Sequence, residues 1–222
     1  MRVRKYKFDG VYMVNDKYLA TENLVPGQVV YGEKIFRIKG KEYREWNPRR
    51  SKLAAAILKG LREFPIKKGI KILYLGVASG TTASHISDII GWEGIIYGVD
   101  ISPRVLRKTI IISEKRKNII PILADASFPE RYSHIVSGKV DLIYEDVAQK
   151  HQIDILERNA EFYLKDKGYA FIAVKARSID STKSPKIIFK MVEEKLKENF
   201  KIIDKRRLEP YERDHMMYLL RY

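Results

Sequence analysis

The sequence Leu73-Tyr-Leu-Gly76-Val-Ala-Ser-Gly80-Thr-Thr82 places a glycine-containing turn between an apolar run and a helical pattern. Residues 70–75 form a short apolar run typical of a buried parallel strand, and residues 81–90 are expected to form the helix that follows. Gly76 and Gly80 permit a tight turn and the close approach of a ligand, while Thr81 and Thr82 add hydroxyls near the exposed amides of the helix start. An ordinary turn without a ligand is the alternative at this point.

Strand and helix patterns alternate on both sides of this segment. Before it, Asn47-Pro48 predicts the start of a helix. After it, strands are predicted at residues 95–99, 119–123, 140–144, 169–174, 201–204 and 216–220. Helices are predicted at residues 102–115, at 152–164 and from Ser184 onward. This alternation predicts an α/β fold with a doubly wound, Rossmann-like sheet, in which ligands bind at the carboxyl ends of the strands.

The first 46 residues follow a different pattern. Short β-type runs are separated by turn signals such as Asp9-Gly10 and Pro26-Gly27, and the runs lie at residues 6–8, 11–14, 28–31 and 34–38. They predict a small antiparallel β module over residues 1–46, followed by the Rossmann-like domain over residues 47–222. A sheet this small cannot cover both of its faces, so we expect it to pack against the following domain or a partner.

Composition excludes several classes of protein. The 222 residues include 43 Lys and Arg against 28 Asp and Glu, which gives a formal net charge of +15. This surplus favours a polyanionic partner, either nucleic acid or an acidic membrane surface. The lack of cysteine excludes disulfides, Cys-ligated zinc, iron–sulfur clusters and thiol catalysis, and no metal site is predicted. No apolar run reaches the roughly 18 residues of a spanning helix, so we expect a soluble, intracellular protein.

Acidic residues follow three of the predicted strands. Asp100 lies 24 positions after Gly76, where a carboxylate accepts hydrogen bonds from the ribose of an adenosine-containing ligand. Asp125 is placed either to contact an adenine amino group or to act as a helix cap before Phe128-Pro129. Asp146 follows the next strand. The Gly-x-Ala-x-Gly spacing of residues 76–80 departs from the dinucleotide pattern, which favours S-adenosylmethionine over a nicotinamide dinucleotide.

Lysines accompany the acidic residues. Lys175 interrupts the fifth strand after the apolar residues 170–174, and Lys52 lies on the first helix. A lysine that ends an apolar strand usually extends its ammonium into solvent, which is the alternative interpretation of Lys175 alone. Because Asp146 ends a neighbouring strand, the sequence nevertheless indicates a charged site formed by Lys175 and Asp146.

Motifs along nearly the whole chain closely resemble the archaeal members of the fibrillarin family. They are Glu42-Tyr-Arg-Glu-Trp46-Asn-Pro-Arg-Arg-Ser-Lys52, Leu73-Tyr-Leu-Gly-Val-Ala-Ser-Gly-Thr-Thr82, Gly91-Trp-Glu-Gly94, Ser102-Pro-Arg-Val-Leu-Arg107, Glu145-Asp-Val-Ala-Gln149, Val174-Lys-Ala-Arg-Ser-Ile-Asp180 and Leu208-Glu-Pro-Tyr-Glu-Arg-Asp-His215. Two positions depart from the family pattern: Asp100 stands where many relatives have Glu, and Lys150-His151 replaces a more usual Pro-Thr.

The resemblance implies a methyltransferase that uses S-adenosylmethionine. Its substrates would be ribose 2′-oxygens of rRNA and tRNA, and it would be the catalytic subunit of box C/D guide-RNA particles. The implied catalytic set is Lys52, Asp146, Lys175 and His215, in which Lys175 is the first candidate to accept the hydroxyl proton or to stabilise the alkoxide. The glycine turn and the resemblance together assign the cofactor contacts to Gly76, Ala78, Gly80, Thr81, Thr82, Asp100, Ile101, Asp125, Ala126, Asp146, Val147, Ala148 and Gln149.

The resemblance also implies partners. They are a box C/D guide RNA with its target rRNA or tRNA, a Nop-family scaffold protein and a kink-turn-binding protein, with no membrane and with a cytoplasmic location in an archaeal cell. Apolar residues of the N-terminal module are candidate scaffold contacts. The basic residues expected to contact RNA phosphates, with an affinity that salt weakens, are Arg49, Arg50, Lys52, Arg177 and Lys183.

Three other functions stay open at this point. A nicotinamide-dependent oxidoreductase would share the sheet and the ribose-binding acid, but it would not explain Asp146, Lys175 and His215 together. A non-catalytic RNA-binding subunit would share the positive charge, although the complete Lys-Asp-Lys-His set argues against it. A stand-alone ribose methylase would share most of the chemistry, and only a test of its dependence on guide RNA and scaffold separates it from the guided enzyme.

Overall fold

A computed structural model describes all 222 residues, and its N-terminal part is a five-stranded antiparallel sheet. The strands are β1 (Val3–Lys5), β2 (Val11–Val14), β3 (Tyr18–Glu22), β4 (Ile35–Ile38) and β5 (Lys41–Glu45). They pair in the order β1-β2-β3-β5-β4. The small antiparallel module is therefore present, although its strands differ from those predicted.

Two of the predicted N-terminal strands are wrong, and three strands were missed. Residues 6–8 and 28–31 lie in turns; the backbone N–H groups of Val30 and Tyr31 donate to the Glu33 carboxylate, which holds that segment in a loop. The sequence did not indicate β1, β3 or β5. In β5, Glu42 and Arg44 are buried with charged partners, so a charged sequence forms an internal strand.

The remaining elements form the α/β part of the chain. They are α1 (Lys52–Leu58), β6 (Lys71–Leu75), α2 (Thr81–Ile90), β7 (Ile95–Asp100), α3 (Pro103–Ser113), β8 (Ile119–Leu123), β9 (Val140–Glu145), α4 (Gln152–Tyr163), β10 (Leu164–Lys175), α5 (Ala176–Ile179), α6 (Pro185–Leu196), β11 (Lys201–Arg207) and β12 (His215–Arg221). No helix is long and apolar enough to cross a membrane.

The seven-stranded sheet confirms the predicted Rossmann-like architecture. Its order is β11-β12-β10-β9-β6-β7-β8, in which β12 runs antiparallel to both neighbours and β10, β9, β6, β7 and β8 run parallel. Because the parallel strands end at one edge, the segments that follow β6, β7, β8, β9 and β10 are collected there.

The first helix begins later than predicted. Asn47 Oδ1 accepts a hydrogen bond from the backbone N–H of Arg49 at 2.9 Å, which closes a turn instead of starting a helix. Helix α1 begins at Lys52, and Ser51 is its N-cap, with Oγ accepting from the N–H of Ala54 at 3.4 Å. This shift places Lys52 in the first turn of the helix.

The apolar cores lie on the two faces of the large sheet. Ile72 and Tyr74 of β6 face one core, and Leu73 and Leu75 face the other, as the period of a strand requires. The first core also contains Val11, Met13 and Leu19 of the small sheet. The N-terminal module thus packs against one face of the larger sheet through a shared apolar core. A division of the chain into two domains at residue 46 stays a prediction.

A buried ionic cluster attaches the small sheet to helix α2. The Asp88 carboxylate accepts hydrogen bonds from Arg44 Nη1 at 2.9 Å, from Arg116 Nη1 at 2.6 Å and from Thr21 Oγ1 at 2.6 Å. Arg44 also bonds to Glu33 at 2.7 Å. Two arginines and two carboxylates balance in charge, which is the condition for burying charges so completely.

His85 lies beside this cluster as a neutral side chain. Its ring stacks on Trp46 with the centroids 5.1 Å apart, and its Nδ1 lies 2.7 Å from Thr21 Oγ1. Burial, followed by the charges of Arg44 and Arg116, lowers the pKa of His85 well below its usual value. The imidazole therefore fills the junction between the small sheet and α2 without adding a third positive charge.

The cluster predicts a large cost for removing one of its charges. Arg44→Met leaves Glu33 and Asp88 buried with too few cationic partners, and we expect the free energy of unfolding to fall by about 3–5 kcal/mol in urea denaturation. Arg37→Met is the control, since Arg37 pairs with Glu42 through a side chain that is 79% exposed, and it should change stability little. Equal losses in the two variants would contradict the prediction.

Candidate active site

A cavity of about 250 Å³ lies at the carboxyl ends of β6, β7, β8 and β9. It is lined by Gly76, Ala78, Asp100, Ile101, Ala124, Asp125, Ala126, Asp146, Val147, Ala148 and Gln149. Every residue of the predicted cofactor site lines it except Gly80, Thr81 and Thr82. The sequence analysis missed only Ala124, which directly follows β8 and precedes Asp125.

Gly76 is required by a close approach between two strand ends. It has φ +78°, and a Cβ at this position would lie 2.7 Å from the carbonyl oxygen of Asp146. The N–H of Asp146 in turn donates to the carbonyl oxygen of Leu75 at 2.9 Å. Only glycine lets the turn after β6 pass this close to the backbone after β9, and the contact forms one wall of the cavity.

The other end of the turn differs from the expectation. A Cβ on Gly80 would lie 2.9 Å from Ile112 Cδ1, so Gly80 permits a close approach to helix α3. Thr82 Oγ1 lies 2.9 Å from Ser51 Oγ in the protein interior. These side chains tie the turn to its surroundings, and direct contact of Gly80, Thr81 or Thr82 with a cofactor stays a prediction.

Two carboxylates face the cavity in fixed orientations. Asp100 accepts from the N–H of Ala78 and from the N–H of Ser102, each at 2.9 Å, and every carboxylate oxygen retains capacity for another donor. Asp125 Oδ1 accepts from the N–H of Ser127 at 2.9 Å and leaves Oδ2 for a ligand. The helix-cap interpretation of Asp125 is wrong, because the short helical turn that follows begins at Pro129 and its N-cap is Phe128. The cavity thus presents acceptors for hydroxyl and amino groups.

Lys52 and Asp146 form an ion pair at the rim of the cavity. Lys52 Nζ lies 2.7 Å from Oδ1 and 2.9 Å from Oδ2 of Asp146, although the two residues are 94 positions apart. Their side chains are 22% and 20% exposed. A lysine in the first turn of a helix opposes the helix dipole, and the carboxylate compensates for this. Asp146 therefore belongs both to the cavity wall and to the charged site.

Lys175 and His215 face each other across β10 and β12, as partners in the antiparallel register. Lys175 is exposed, and no carboxylate lies within ion-pair distance of its Nζ. His215 is buried, and its Nδ1 lies 2.6 Å from the carbonyl oxygen of Arg213. Because a carbonyl only accepts, Nδ1 of the neutral ring carries the proton and Nε2 is left as an acceptor.

The structure therefore assembles the predicted catalytic residues as two pairs. Lys52 contacts Asp146 directly, and Lys175 neighbours His215 in the sheet. Since β9 and β10 are adjacent parallel strands, their carboxyl ends place Asp146 and Lys175 at the same edge. Asp146 binds Lys52 with both oxygens, so this carboxylate pairs with Lys52.

Glu145 is a polar residue whose environment the sequence did not indicate. Its carboxyl is completely buried at the end of β9, and burial, followed by the charge of Asp146, raises its pKa well above the usual value. Both causes favour the neutral form of the Glu145 carboxyl. The sequence did contain a signal for its burial: successive residues of a strand point to opposite faces, so Glu145 and Asp146 cannot both face the cavity.

A model of the fibrillarin family matches residues 3–222 of this chain. The chain belongs to the fibrillarin family. The fibrillarin-like rRNA/tRNA 2′-O-methyltransferase of Pyrococcus furiosus is 58% identical over 225 residues, which cover 100% of this chain and 99% of the relative. The resemblance predicted from the motifs is thereby confirmed.

Solved fibrillarin structures share the fold over nearly the full length. Aeropyrum pernix fibrillarin, in complex with natively bound S-adenosyl-L-methionine, has a TM-score of 0.91 and 53% identity, with 99% of this chain and 98% of that chain covered. The fibrillarin of a fibrillarin/Nop5p complex has a TM-score of 0.89 and 50% identity, with 98% of this chain and 100% of that chain covered.

The contact between Gly76 and Asp146 in this fibrillarin leads to a specific prediction. Gly76→Ala should displace the Asp146 backbone, because the added methyl group meets a carbonyl oxygen, and it should lower both stability and cofactor affinity. Gly138→Ala is the matched control: Gly138 has φ +70° but no atom within 4 Å of its Cβ position. Urea denaturation of both variants measures the shared backbone strain, roughly 1 kcal/mol or more, and calorimetry with S-adenosylmethionine measures binding. Equal effects of the two changes on binding would contradict the prediction.

Proposed function

We propose that this chain is the catalytic subunit of a box C/D guide-RNA particle. Its membership of the fibrillarin family, together with full-length relatives named rRNA/tRNA 2′-O-methyltransferases, makes it an S-adenosylmethionine-dependent RNA 2′-O-methyltransferase. The observation that carries the proposal is the position of Asp146, which lines the cavity and binds Lys52 at the edge where Lys175 and His215 also lie.

The residues of the cavity fit S-adenosylmethionine. Asp100 supplies acceptors for ribose hydroxyls, and the free oxygen of Asp125 suits an amino group of adenine. Gly76 leaves the wall beside Asp146 without a side chain. When bound, the cofactor supplies an electrophilic methyl group on a positively charged sulfur. Apolar contacts of Ile101 and Val147 would hold the remainder of the adenosine, since both line the cavity.

The charged pairs would act on the ribose 2′-hydroxyl. Lys175 lacks a carboxylate partner, so in its neutral form its Nζ is available to take the hydroxyl proton and then, as an ammonium, to stabilise the alkoxide. Lys52 and Asp146 would orient the ribose, and Nε2 of His215 would accept a hydrogen bond at the same edge. Positioning of this kind supplies much of the rate in a transfer between two bound reactants.

The basic residues near the site differ in their availability for RNA. Arg177 binds Asp214 at 2.8 Å, and Lys183 lies 3.5 Å from Asp180, so both have acidic partners. Arg49 and Arg50 are exposed, without a carboxylate partner, just before Lys52. We assign phosphate contacts beside the site chiefly to these two arginines, and binding through them should weaken with salt.

The proposed particle also requires protein partners. Because a related fibrillarin has been solved in complex with Nop5p, we propose that a Nop-family scaffold binds this chain and that a kink-turn-binding protein marks the guide RNA. The N-terminal module offers little apolar surface for the scaffold, since Val11, Met13 and Leu19 are buried in this chain's own core. That surface of the module is therefore a weaker candidate than the sequence suggested.

The proposed role of Lys175 predicts a selective loss of activity. Lys175→Ala should abolish methyl transfer in a reconstituted guide-RNA particle and leave S-adenosylmethionine affinity nearly intact, because Lys175 does not line the cavity. Transfer of a labelled methyl group measures the first effect, and equilibrium dialysis measures the second. Lys190→Ala, whose side chain is 80% exposed on α6, is the control. Undiminished transfer by the Lys175 variant would remove this residue from the mechanism.

Dependence on the particle is a separate prediction. The chain alone should transfer little methyl to a target RNA, and activity should appear when guide RNA, scaffold and kink-turn-binding protein are all added. A guide whose pairing sequence is changed should move the methylated nucleotide accordingly. Methylation of the same site without a guide would instead support a stand-alone ribose methylase, and methylation of no RNA by any combination would support a non-catalytic subunit.

A further inference from the structure

A buried hydroxyl immediately before Lys52 is the meeting point of three segments. The indole Nε1 of Trp46 donates to Ser51 Oγ at 2.9 Å, and the backbone N–H of Ala54 donates to the same oxygen at 3.4 Å. Thr82 Oγ1 lies 2.9 Å from it. Ser51 is 2% exposed, so no solvent competes for these bonds. One oxygen therefore joins the end of the small sheet, the start of α1 and the start of α2.

Three donors converge on the hydroxyl oxygen of Ser51. Trp46 Nε1 and the Ala54 N–H can only donate, so both use this oxygen as an acceptor. Thr82 Oγ1 donates to the same oxygen at 2.9 Å. Because the three donors come from different directions in the protein interior, they restrain the Ser51 side chain and hold the N-cap in one position.

This position matters because Lys52 follows directly in the chain. Helix α1 has only seven residues and carries no acidic residue in its first turn. Five consecutive residues, from Leu53 to Ile57, are completely buried and hold the helix in the core, while the polar contacts at its start fix the position of its first turn. The Ser51 hydroxyl ties this start to α2, the helix that opens from the turn beside the cavity.

We propose that Ser51 is a positioning residue for the reaction, since its hydroxyl holds Lys52 at the correct distance from Asp146. This inference rests on the proposed role of Lys52. The geometry is a relay of fixed contacts: Trp46 and Thr82 hold Ser51, Ser51 sets the first turn of α1, and Lys52 then reaches both oxygens of Asp146. Ser51 touches neither the cavity nor the proposed substrate position.

The test compares Ser51→Ala with Ser51→Thr and with Ser87→Ala. In the reconstituted particle, Ser51→Ala should lower kcat about tenfold or more, because small displacements of reacting groups are costly, while the Kd for S-adenosylmethionine and the KM for target RNA change less than about twofold. Ser51→Thr retains the hydroxyl and should restore most of kcat. Ser87→Ala removes another buried hydroxyl, which donates to Asn118 at 2.7 Å, and should leave kcat unchanged.

A second variant keeps the test decisive if Ser51→Ala fails to fold. Trp46→Phe removes the indole donor to Ser51, together with part of a buried ring, and should lower kcat in the same direction, with unchanged cofactor affinity. An unchanged kcat in the folded Ser51→Ala protein, or in Trp46→Phe when it is the only folded variant, would overturn the positioning role. An equal fall in kcat in Ser87→Ala would do so as well, because it would indicate a general loss of stability.

Lys52→Ala separates this inference from the proposed function on which it rests. Loss of methyl transfer in Lys52→Ala together with normal kcat in Ser51→Ala would remove only the positioning role. Normal transfer in Lys52→Ala would remove the proposed role of Lys52, and the positioning role with it. Loss in both variants, with rescue by Ser51→Thr, is the expected result.

Discussion

The close approach of Gly76 to the backbone of Asp146 is the contact on which the site depends. It brings the turn after β6 against the segment after β9, with Asp146 N–H donating to the carbonyl oxygen of Leu75. This contact closes one side of the cofactor cavity and holds Asp146 where Lys52 reaches it. A glycine with positive φ at the end of a buried strand therefore supports both halves of the site: the wall that would face the methyl donor and the carboxylate that orders the charged residues.

Two buried polar clusters hold the parts that surround this contact. The cluster of Arg44, Arg116, Glu33 and Asp88 attaches the small sheet to α2, and the hydroxyl of Ser51 attaches the start of α1 to the same helix. Nearly all polar atoms of both clusters have a hydrogen-bond partner. Their hydrogen bonds are directional, since each requires one donor and one acceptor in a defined geometry. Apolar packing alone tolerates small sliding movements. The polar contacts restrict them, and a site built from several chain segments needs that restriction.

Buried and exposed charges have different roles in this protein. Inside, charges balance: two arginines meet two carboxylates, and Lys52 meets Asp146. Burial raises the pKa of Glu145, which favours its neutral form. The net charge of +15 is therefore carried mainly by exposed Lys and Arg side chains, where water solvates each charge at little cost. Such a surface attracts RNA of any sequence. It agrees with an enzyme whose target is chosen by a guide RNA, because affinity for the phosphate backbone leaves the choice of nucleotide to base pairing.

The sequence by itself determined the order of strands and helices after residue 70, apart from the short helix α5, and the location of most cavity residues. Both follow from local periodicity and from the edge at which parallel strands end. It also indicated Lys52, Asp146, Lys175 and His215, through the resemblance of their motifs to the fibrillarin family. Tertiary structure alone decided that Asp146 pairs with Lys52, that Gly80 faces α3, and that the charged segment Lys41–Glu45 is an internal strand. The charged contacts depend on partners that are remote in the chain: Asp146 lies 94 residues after Lys52, and Asp88 lies 44 residues after Arg44. A charged or hydroxyl side chain has no intrinsic preference for the interior; the partner that satisfies it decides whether it is buried, and only folding brings that partner into contact.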